Sequence, residues 1–249
     1  MKVSAIIAAG GSGSRLGKAE GKQLLELQGQ PVIAYSIKTI LPLVDEIILV
    51  IRPEDVDKAG TVFDCDEGDD KESCNKKIVA GGMTRTESVR NALSALSSDT
   101  DIVIIHDGAR PFISSDIVEK SIAAAKEFGA AVVSVPVTDT IKQADNKGFV
   151  KSTPDRSSLW AAQTPQAFRY DIIKKVYDSD NSAELVHAEL NADHNKDNSF
   201  TKKLAGYTDD ASMAEALGYQ VKIVEGDYNN FKITTEEDLQ LAEYLLNAG

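Results

Sequence analysis

Short apolar runs alternate with amphipathic stretches along almost the whole chain, and those runs are nearly continuous in valine and isoleucine. Segments 2–8 (KVSAIIA), 45–51 (DEIILVI), 77–80 (KIVA), 101–106 (DIVIIH), 130–135 (AAVVSV) and 219–225 (YQVKIVE) predict six strands. Runs of this kind fit strands covered on both faces, as in a mostly parallel sheet. Helical periodicity predicts helices over 31–42, 84–97, 115–128, 170–190, 209–217 and 235–247. Pro31 suits a first turn, and the last helix opens on Thr234 and Thr235 followed by Glu236, Glu237 and Asp238. A hydroxyl cap followed by acids suits a helix N-terminus. Repeated βα units fold as an open α/β sandwich.

Three segments break the rhythm. Residues 64–76 (DCDEGDDKESCNK) and 190–200 (LNADHNKDNSF) are polar insertions, and 136–163 predicts a hairpin leaving the main sheet. No internal repeat is visible. A chain of 249 residues with 42% hydrophobic side chains buries a core without disulfide or metal support, so residues 1–249 are expected to form one domain. Two cysteines, Cys65 and Cys74, and no secretory signal predict a cytoplasmic protein with reduced thiols. No run reaches the length of a membrane span. His106, His187 and His194 match no zinc pattern. A net charge of -12 opposes a broad nucleic-acid or membrane footprint but allows a local cationic pocket for a small anion. Residues 64–72 and 178–197 each carry six acids and one lysine. The excess acidity therefore lies mainly in these segments.

Four stretches carry candidate chemistry. Residues 8–23 (AAGGSGSRLGKAEGKQ) follow the first strand, and their small residues let backbone N–H groups approach a polyanion. A Walker loop would need glycine at Ser12 and a hydroxyl at Ala19, and a dinucleotide fingerprint would need glycine at Leu16. What remains is a glycine loop with Arg15 and Lys22, either a phosphate grip or a flexible connection. In 104–111 (IIHDGARP), Asp107 follows a strand end, where open α/β sheets place their sites. It could hold Mg²⁺ with substrate phosphates, and Arg110 a second anion; a capped turn backed by a structural arginine reads equally well. In 80–93, Gly81 and Gly82 end a strand, while Thr84, Arg85 and Ser88 open a helix. That arrangement suits a base or sugar edge, or an ordinary capped strand–helix turn. In 224–239, Asp227 and Lys232 follow the last strand; Lys232 is either a phosphate ligand or a solvated lysine.

Taken together, the motifs are far more specific. AAGGSGSR with KQ, GGxxRxxSV, HDxARP, TDTIK, LWxAQTPQxF, TDDAS and GDxxNxKITTxEDL occur in one order between residues 8 and 239. The chain resembles the 2-C-methyl-D-erythritol 4-phosphate cytidylyltransferases. Ribitol-5-phosphate cytidylyltransferases share most motif positions, but the second alanine of AAG, with TDTIK and LWxAQTPQ, favours the former. The resemblance implies a Rossmann-like nucleotidyltransferase fold, a three-layer α/β sandwich with a protruding β-arm, and a homodimer whose arms embrace partner subunits. It implies transfer from CTP to the sugar-alcohol phosphate with release of pyrophosphate, and a Mg²⁺ cofactor beside Asp107. Carried over by motif, Ala8, Ala9, Gly10, Arg15 and Lys22 would surround the CTP phosphates, and Gly81, Gly82 and Ser88 the nucleoside. Arg110, Thr140, Arg156 and Lys232 would hold the alcohol phosphate, with Thr140 and Arg156 supplied by the neighbouring arm. Gly11–Ser14 make the first loop longer than the commonest pattern, and Met83 replaces a polar residue found in many members.

The chemistry implied is consistent with these residue types. Two polyanions must be brought together, so charge neutralisation and alignment dominate. The attacking phosphate is already ionised at neutral pH, and no histidine base is required. An oxidoreductase reading is opposed by the failed dinucleotide fingerprint, and a catalytically silent relative by retention of Arg15, Lys22, Asp107 and Lys232.

Overall fold

The computed structural model describes residues 1–10, 24–63, 74–178 and 207–248. Arg15, Lys22, Cys65, the 190–200 insertion, most of the 64–76 insertion and the second half of the helix expected over 170–190 lie outside these residues.

A seven-stranded sheet forms the centre. Its strands are β1 (Val3–Ala9), β4 (Glu46–Ile51), β5 (Asn75–Ala80), β6 (Ile102–Asp107), β7 (Ala130–Pro136), β10 (Trp160–Arg169) and β11 (Lys222–Glu225). They lie in the order β11-β7-β10-β6-β1-β4-β5. Six run parallel and β10 runs antiparallel between β6 and β7. All six strands expected from the Val/Ile runs are present, the last one shortened to residues 222–225.

Period-two alternation sends side chains into two helical layers. On one face Ala5, Ile7, Ile47, Leu49 and Ile104 share a core with Ile33, Ile37 and Ile40 of α1 (Val32–Ile40) and with Ile117, Val118 and Ala125 of α4 (Ser115–Phe128). The short helix α2 (Val56–Ala59) joins that face through Ala59. On the other, Ile6, Ile48, Val103 and Ile105 meet Val89 and Ala92 of α3 (Arg85–Ala95). Helical residues 170–178 (α5) and α6 (Asp210–Ala216) complete that layer through Ile173, Val176, Tyr177 and Met213. A smaller cluster joins the hairpin of β2 (Glu26–Leu27) and β3 (Gln30–Pro31) to α7 (Glu236–Ala248) through Leu25, Leu27, Leu239 and Ala242. Gln28 and Gly29 both have positive φ (51° and 79°), the combination that closes a two-residue hairpin with the strand twist.

Among the seven strands of the central sheet, the one that sequence periodicity missed is β10. Its residues lack a Val/Ile run and contain Pro165, which ordinarily argues against an interior strand. The structure accommodates the proline where the β10–β7 register shifts between Ala162 and Gln166, at an irregularity that needs no ladder donor. The hairpin expected over 136–163 is correspondingly shorter. Pro136 still belongs to β7 and Trp160–Gln163 to β10, while β8 (Gln143–Ala144) and β9 (Val150–Ser152) pair within the projection.

At the N-terminal edge of the sheet, the carboxylate of Glu46 is fully buried. It accepts hydrogen bonds from Ser4 Oγ (3.0 Å), Asn75 Nδ2 (3.2 Å), Lys77 Nζ (2.8 Å), and the N–H and hydroxyl of Ser97 (3.0 and 2.9 Å). Burial alone would raise its pKa; Lys77, Ser97 and Ser4 overcome that and hold it below the ordinary value. This cluster ties β1, β4, β5 and the turn after α3 together.

Candidate active site

Adjacent strands β1 and β6 carry the chain away in opposite directions across the sheet, because β1 is followed by β4 on one side and β6 lies on the other. A crevice at their C-terminal ends is the expected ligand position in an open α/β sheet. Ala8 and Asp107 are register partners there. A cavity of about 180 Å³ opens at this point, lined by Ala8, Gly10, Gly82, Ser88, Asp107 and Lys232 together with Met83, Thr84, Arg85 and Ala109. Four motifs separated by more than two hundred residues thus meet at one edge.

Asp107 is the electrostatic centre. Lys232 Nζ lies 2.7 Å from its Oδ2, and Arg110 Nε lies 3.7 Å from the same oxygen. Burial opposes ionisation of Asp107, but Lys232, Arg85 and Arg110 prevail and pull its pKa down to about 2. The carboxylate is therefore charged throughout the physiological range. Arg110 is fixed behind it by donation from Nη1 to the Asn230 carbonyl (2.7 Å). Burial depresses the Arg110 pKa despite the neighbouring carboxylate.

His106, next in sequence, points away from this chemistry and is fully buried. The hydroxyl of Thr164 accepts the Asp107 N–H (3.0 Å) and contacts His106 Nδ1 (3.1 Å), while His106 Nε2 contacts the Arg110 carbonyl (3.2 Å). A carbonyl only accepts, so Nε2 carries the ring proton and Nδ1 accepts from Thr164. Burial, the largest influence, lowers the His106 pKa to about 4, so the ring is neutral at pH 7. It braces the 107–110 turn instead of moving protons.

Opposite Asp107, the turn after β5 is shaped by Thr84 and Glu87, which form a reciprocal cap at the start of α3. Glu87 also accepts the Met83 N–H (2.6 Å). A Cβ on Gly82 would collide with the Cβ of Glu87, so only glycine fits the turn. The Ser88 hydroxyl accepts from Gly82 N–H (3.1 Å) and donates to the Thr84 carbonyl (2.8 Å). Its proton is committed, and what remains toward the cavity is one acceptor lone pair. A ligand group meeting Ser88 must therefore donate, as an exocyclic amine does.

Six of the residues expected at the site line the cavity. Ala9 lies beneath it with its side chain in the core, and Gly81 is buried in the turn, donating to the Ile51 carbonyl (2.7 Å). Arg110 adjoins through Asp107. Thr140 and Arg156 lie on the exposed hairpin, where Arg156 donates to the Thr138 carbonyl, and neither lines the cavity of its own chain. Arg15 and Lys22 lie outside the described residues. Sequence reasoning placed Thr84 and Arg85 in the candidate stretch 80–93 and noted Met83 there but gave none of them a role, and it did not single out Ala109; all four line the cavity. It also gave LWxAQTPQxF no task. Three of its side chains tether loops around the cavity: Gln163 Nε2 donates to the Asp227 carbonyl (2.9 Å), Thr164 engages Asp107 and His106, and Gln166 Nε2 donates to Asp209 (2.6 Å).

Comparison with known proteins agrees with this geometry. The family model described as IspD, 2-C-methyl-D-erythritol 4-phosphate cytidylyltransferase, matches residues 3–248. A protein of that name from Alkaliphilus oremlandii is 44% identical over 98% of this chain and 95% of its own length. Another from Caldanaerobacter subterraneus is 42% identical over 99% of both chains. The crystal structure of the 4-diphosphocytidyl-2C-methyl-D-erythritol synthase from Anaerococcus prevotii superposes with a TM-score of 0.76 at 32% identity, covering 99% of this chain and 98% of that one. The cytidylyltransferase structure from Thermus thermophilus gives 0.69 at 28% identity, covering 99% of this chain and 100% of that one. With matches across nearly its whole length and residues of four of the family's motifs at one crevice, the chain belongs to the 2-C-methyl-D-erythritol 4-phosphate cytidylyltransferase family.

Proposed function

We propose that this enzyme transfers the cytidylyl group of CTP to 2-C-methyl-D-erythritol 4-phosphate, as a cytoplasmic step of isoprenoid precursor synthesis. The observation that carries the reading is the pairing, in one cavity, of the Asp107–Lys232 charge centre with the glycine turn and acceptor face of Ser88. An oxygen of the substrate phosphate attacks the α-phosphorus, its new P–O bond forms as the bond to the β-bridging oxygen breaks, and pyrophosphate leaves with that electron pair. Gly10 and Ala8 border the phosphates, joined in this reading by Arg15 and Lys22. Lys232 and Arg110 hold the incoming phosphate. No side chain accepts a proton in this scheme, which suits a site where His106 is committed to two hydrogen bonds.

Asp107 offers a single hard, ionised carboxylate at the cavity edge, a donor set that fits Mg²⁺ completed by substrate phosphates and water. When bound, the ion supplies charge neutralisation on the phosphoryl oxygens. Among the described residues no cluster of three or more His, Cys, Asp or Glu side chains offers a protein-only cage.

The hairpin supplies a dimer contact in this reading. Phe149 is 70% exposed, Val150 60%, Ile141 39% and Trp160 38%, a concentration of apolar surface that suits a partner. Thr140 and Arg156 would then enter the partner's site. Arg156→Ala is expected to raise KM for the alcohol phosphate about tenfold or more, with a smaller change in KM for CTP. Mixing it with an inactive Lys232→Met chain is expected to restore turnover through hybrid dimers, and no restoration despite demonstrated subunit exchange counts against a shared site. Pyrophosphate release with CTP and either methylerythritol phosphate or ribitol 5-phosphate tests the assignment itself. Preference for the ribitol substrate would overturn it.

A further inference from the structure

The TDDAS motif, residues 208–212, has no task in the chemistry above, yet it holds a carboxylate that is completely buried. Asp209 caps α6 through the Ser212 N–H (3.0 Å). Asp210, the first residue of that helix, is 0% exposed and faces the other way. Its Oδ1 accepts from Arg85 Nη1 (3.0 Å) and from the Tyr177 hydroxyl (2.6 Å), and its Oδ2 accepts from Arg85 Nη2 (2.6 Å). Arg85, the first residue of α3, lies between this carboxylate and the cavity and forms part of the cavity wall.

A lone arginine side chain loses much of its rotamer freedom when fixed. A two-pronged pair with a carboxylate sets the plane of the guanidinium in advance. The pairing also offsets part of the arginine's charge, although the guanidinium still helps to hold Asp107 ionised. Lys232, on the Asp107 side, serves phosphates through its charge; a guanidinium so paired selects instead through hydrogen-bond direction. Its neighbours along the wall are Gly82, Thr84 and Ser88, the nucleoside side of the cavity. Two of its five N–H groups engage Asp210, which leaves the fork's other donors aimed away from that carboxylate.

We infer that Asp210 is a positioning residue for the nucleotide, holding Arg85 as a pre-set donor to the nucleoside portion of CTP. Asp210 acts through Arg85, and Tyr177 orients Asp210. The inference rests on the CTP reading given above.

The test measures CTP affinity by calorimetric titration, and both KM values and kcat by pyrophosphate release, in Asp210→Asn, Arg85→Lys and Tyr177→Phe. Asp210→Asn is expected to raise the CTP dissociation constant and KM by about tenfold or more, and to change kcat and KM for the alcohol phosphate by less than about threefold. Arg85→Lys keeps the charge, loses the fork, and is expected to follow Asp210→Asn. Tyr177→Phe removes one hydrogen bond and is expected to weaken CTP binding by about two- to fivefold. Unchanged CTP affinity in Asp210→Asn, or a parallel rise in both KM values, overturns the inference, because a merely structural carboxylate loosens both substrates alike. If Asp210→Asn does not fold, Arg85→Lys and Tyr177→Phe decide: wild-type CTP affinity in both overturns it. Wild-type protein that binds no CTP removes the functional reading and this inference together. CTP binding that is indifferent to these substitutions removes the inference alone.

Discussion

Lys232→Met is expected to lower kcat/KM by about 10²- to 10³-fold, the loss typical when one preorganised charge contact to a transition state is removed. The side chain is 37% exposed and its partner in the free protein is Asp107. Methionine keeps most of the aliphatic stem and removes only the ammonium. Asp107 retains Arg110 and Arg85 as positive neighbours, so the fold is expected to persist with an unchanged circular dichroism spectrum. The lowered pKa of Asp107 is expected to rise in this variant, because Lys232 is the foremost of the charges that overcome burial there. Lys232→Arg is not expected to restore full turnover, since a planar fork does not replace a compact point charge between two phosphates. Pyrophosphate release under saturating CTP is the measurement, and turnover within about threefold of wild type rules out the role assigned to Lys232.

Glu46→Ala is expected to destabilise the protein by about 3 kcal/mol, near the lower end for breaking a buried ion pair. Lys77 can reach solvent once its partner is gone, but the buried Ser4 hydroxyl and the Ser97 N–H lose an acceptor. Glu46→Gln keeps the shape and is expected to cost less. Glu46 lies at the N-terminal edge of the sheet, away from the cavity, so the folded fraction should keep its kcat. The pH dependence has a definite sign. The folded-state pKa of Glu46 is depressed, so its contribution is fully present above the unfolded value near 4.5 and is lost as pH falls through the lower folded value. Thermal melting at pH 7 and at successively lower pH is expected to show wild type converging on Glu46→Gln in acid. Parallel curves would exclude the carboxylate as the source.

Strand positions were legible because the physics is one-dimensional there. A run such as Ile102–Ile105 leaves no face for solvent, and a parallel sheet is the arrangement that covers both. Helix starts were legible for a similar local reason, as Thr84 and Ser114 cap helices with their own side chains. β10 was not, because its place in the sheet is set by neighbours distant in sequence, and Pro165 argues against a strand when read alone. The site divides the same way. Asp107 and Lys232 stand out beside strand ends, and the glycine turn beside α3 announces itself. The work of Gln163, Thr164 and Gln166 depends on partners 43 to 64 residues away, and that of Asp210 on an arginine 125 residues distant. No window along the chain contains both ends of such a contact.

The antiparallel course of β10 has a mechanical consequence. Its first residues, Trp160–Ala162, emerge from the hairpin and pair with β7; the next two, Gln163 and Thr164, grip the loop after β11 and the turn after β6. The hairpin and the backbone of Asp107 are therefore joined by one short, continuous span of chain, anchored at both sides. One strand thus links the base of the hairpin to the backbone that carries the charge centre, through the hydrogen bond that the Thr164 hydroxyl accepts from the Asp107 N–H.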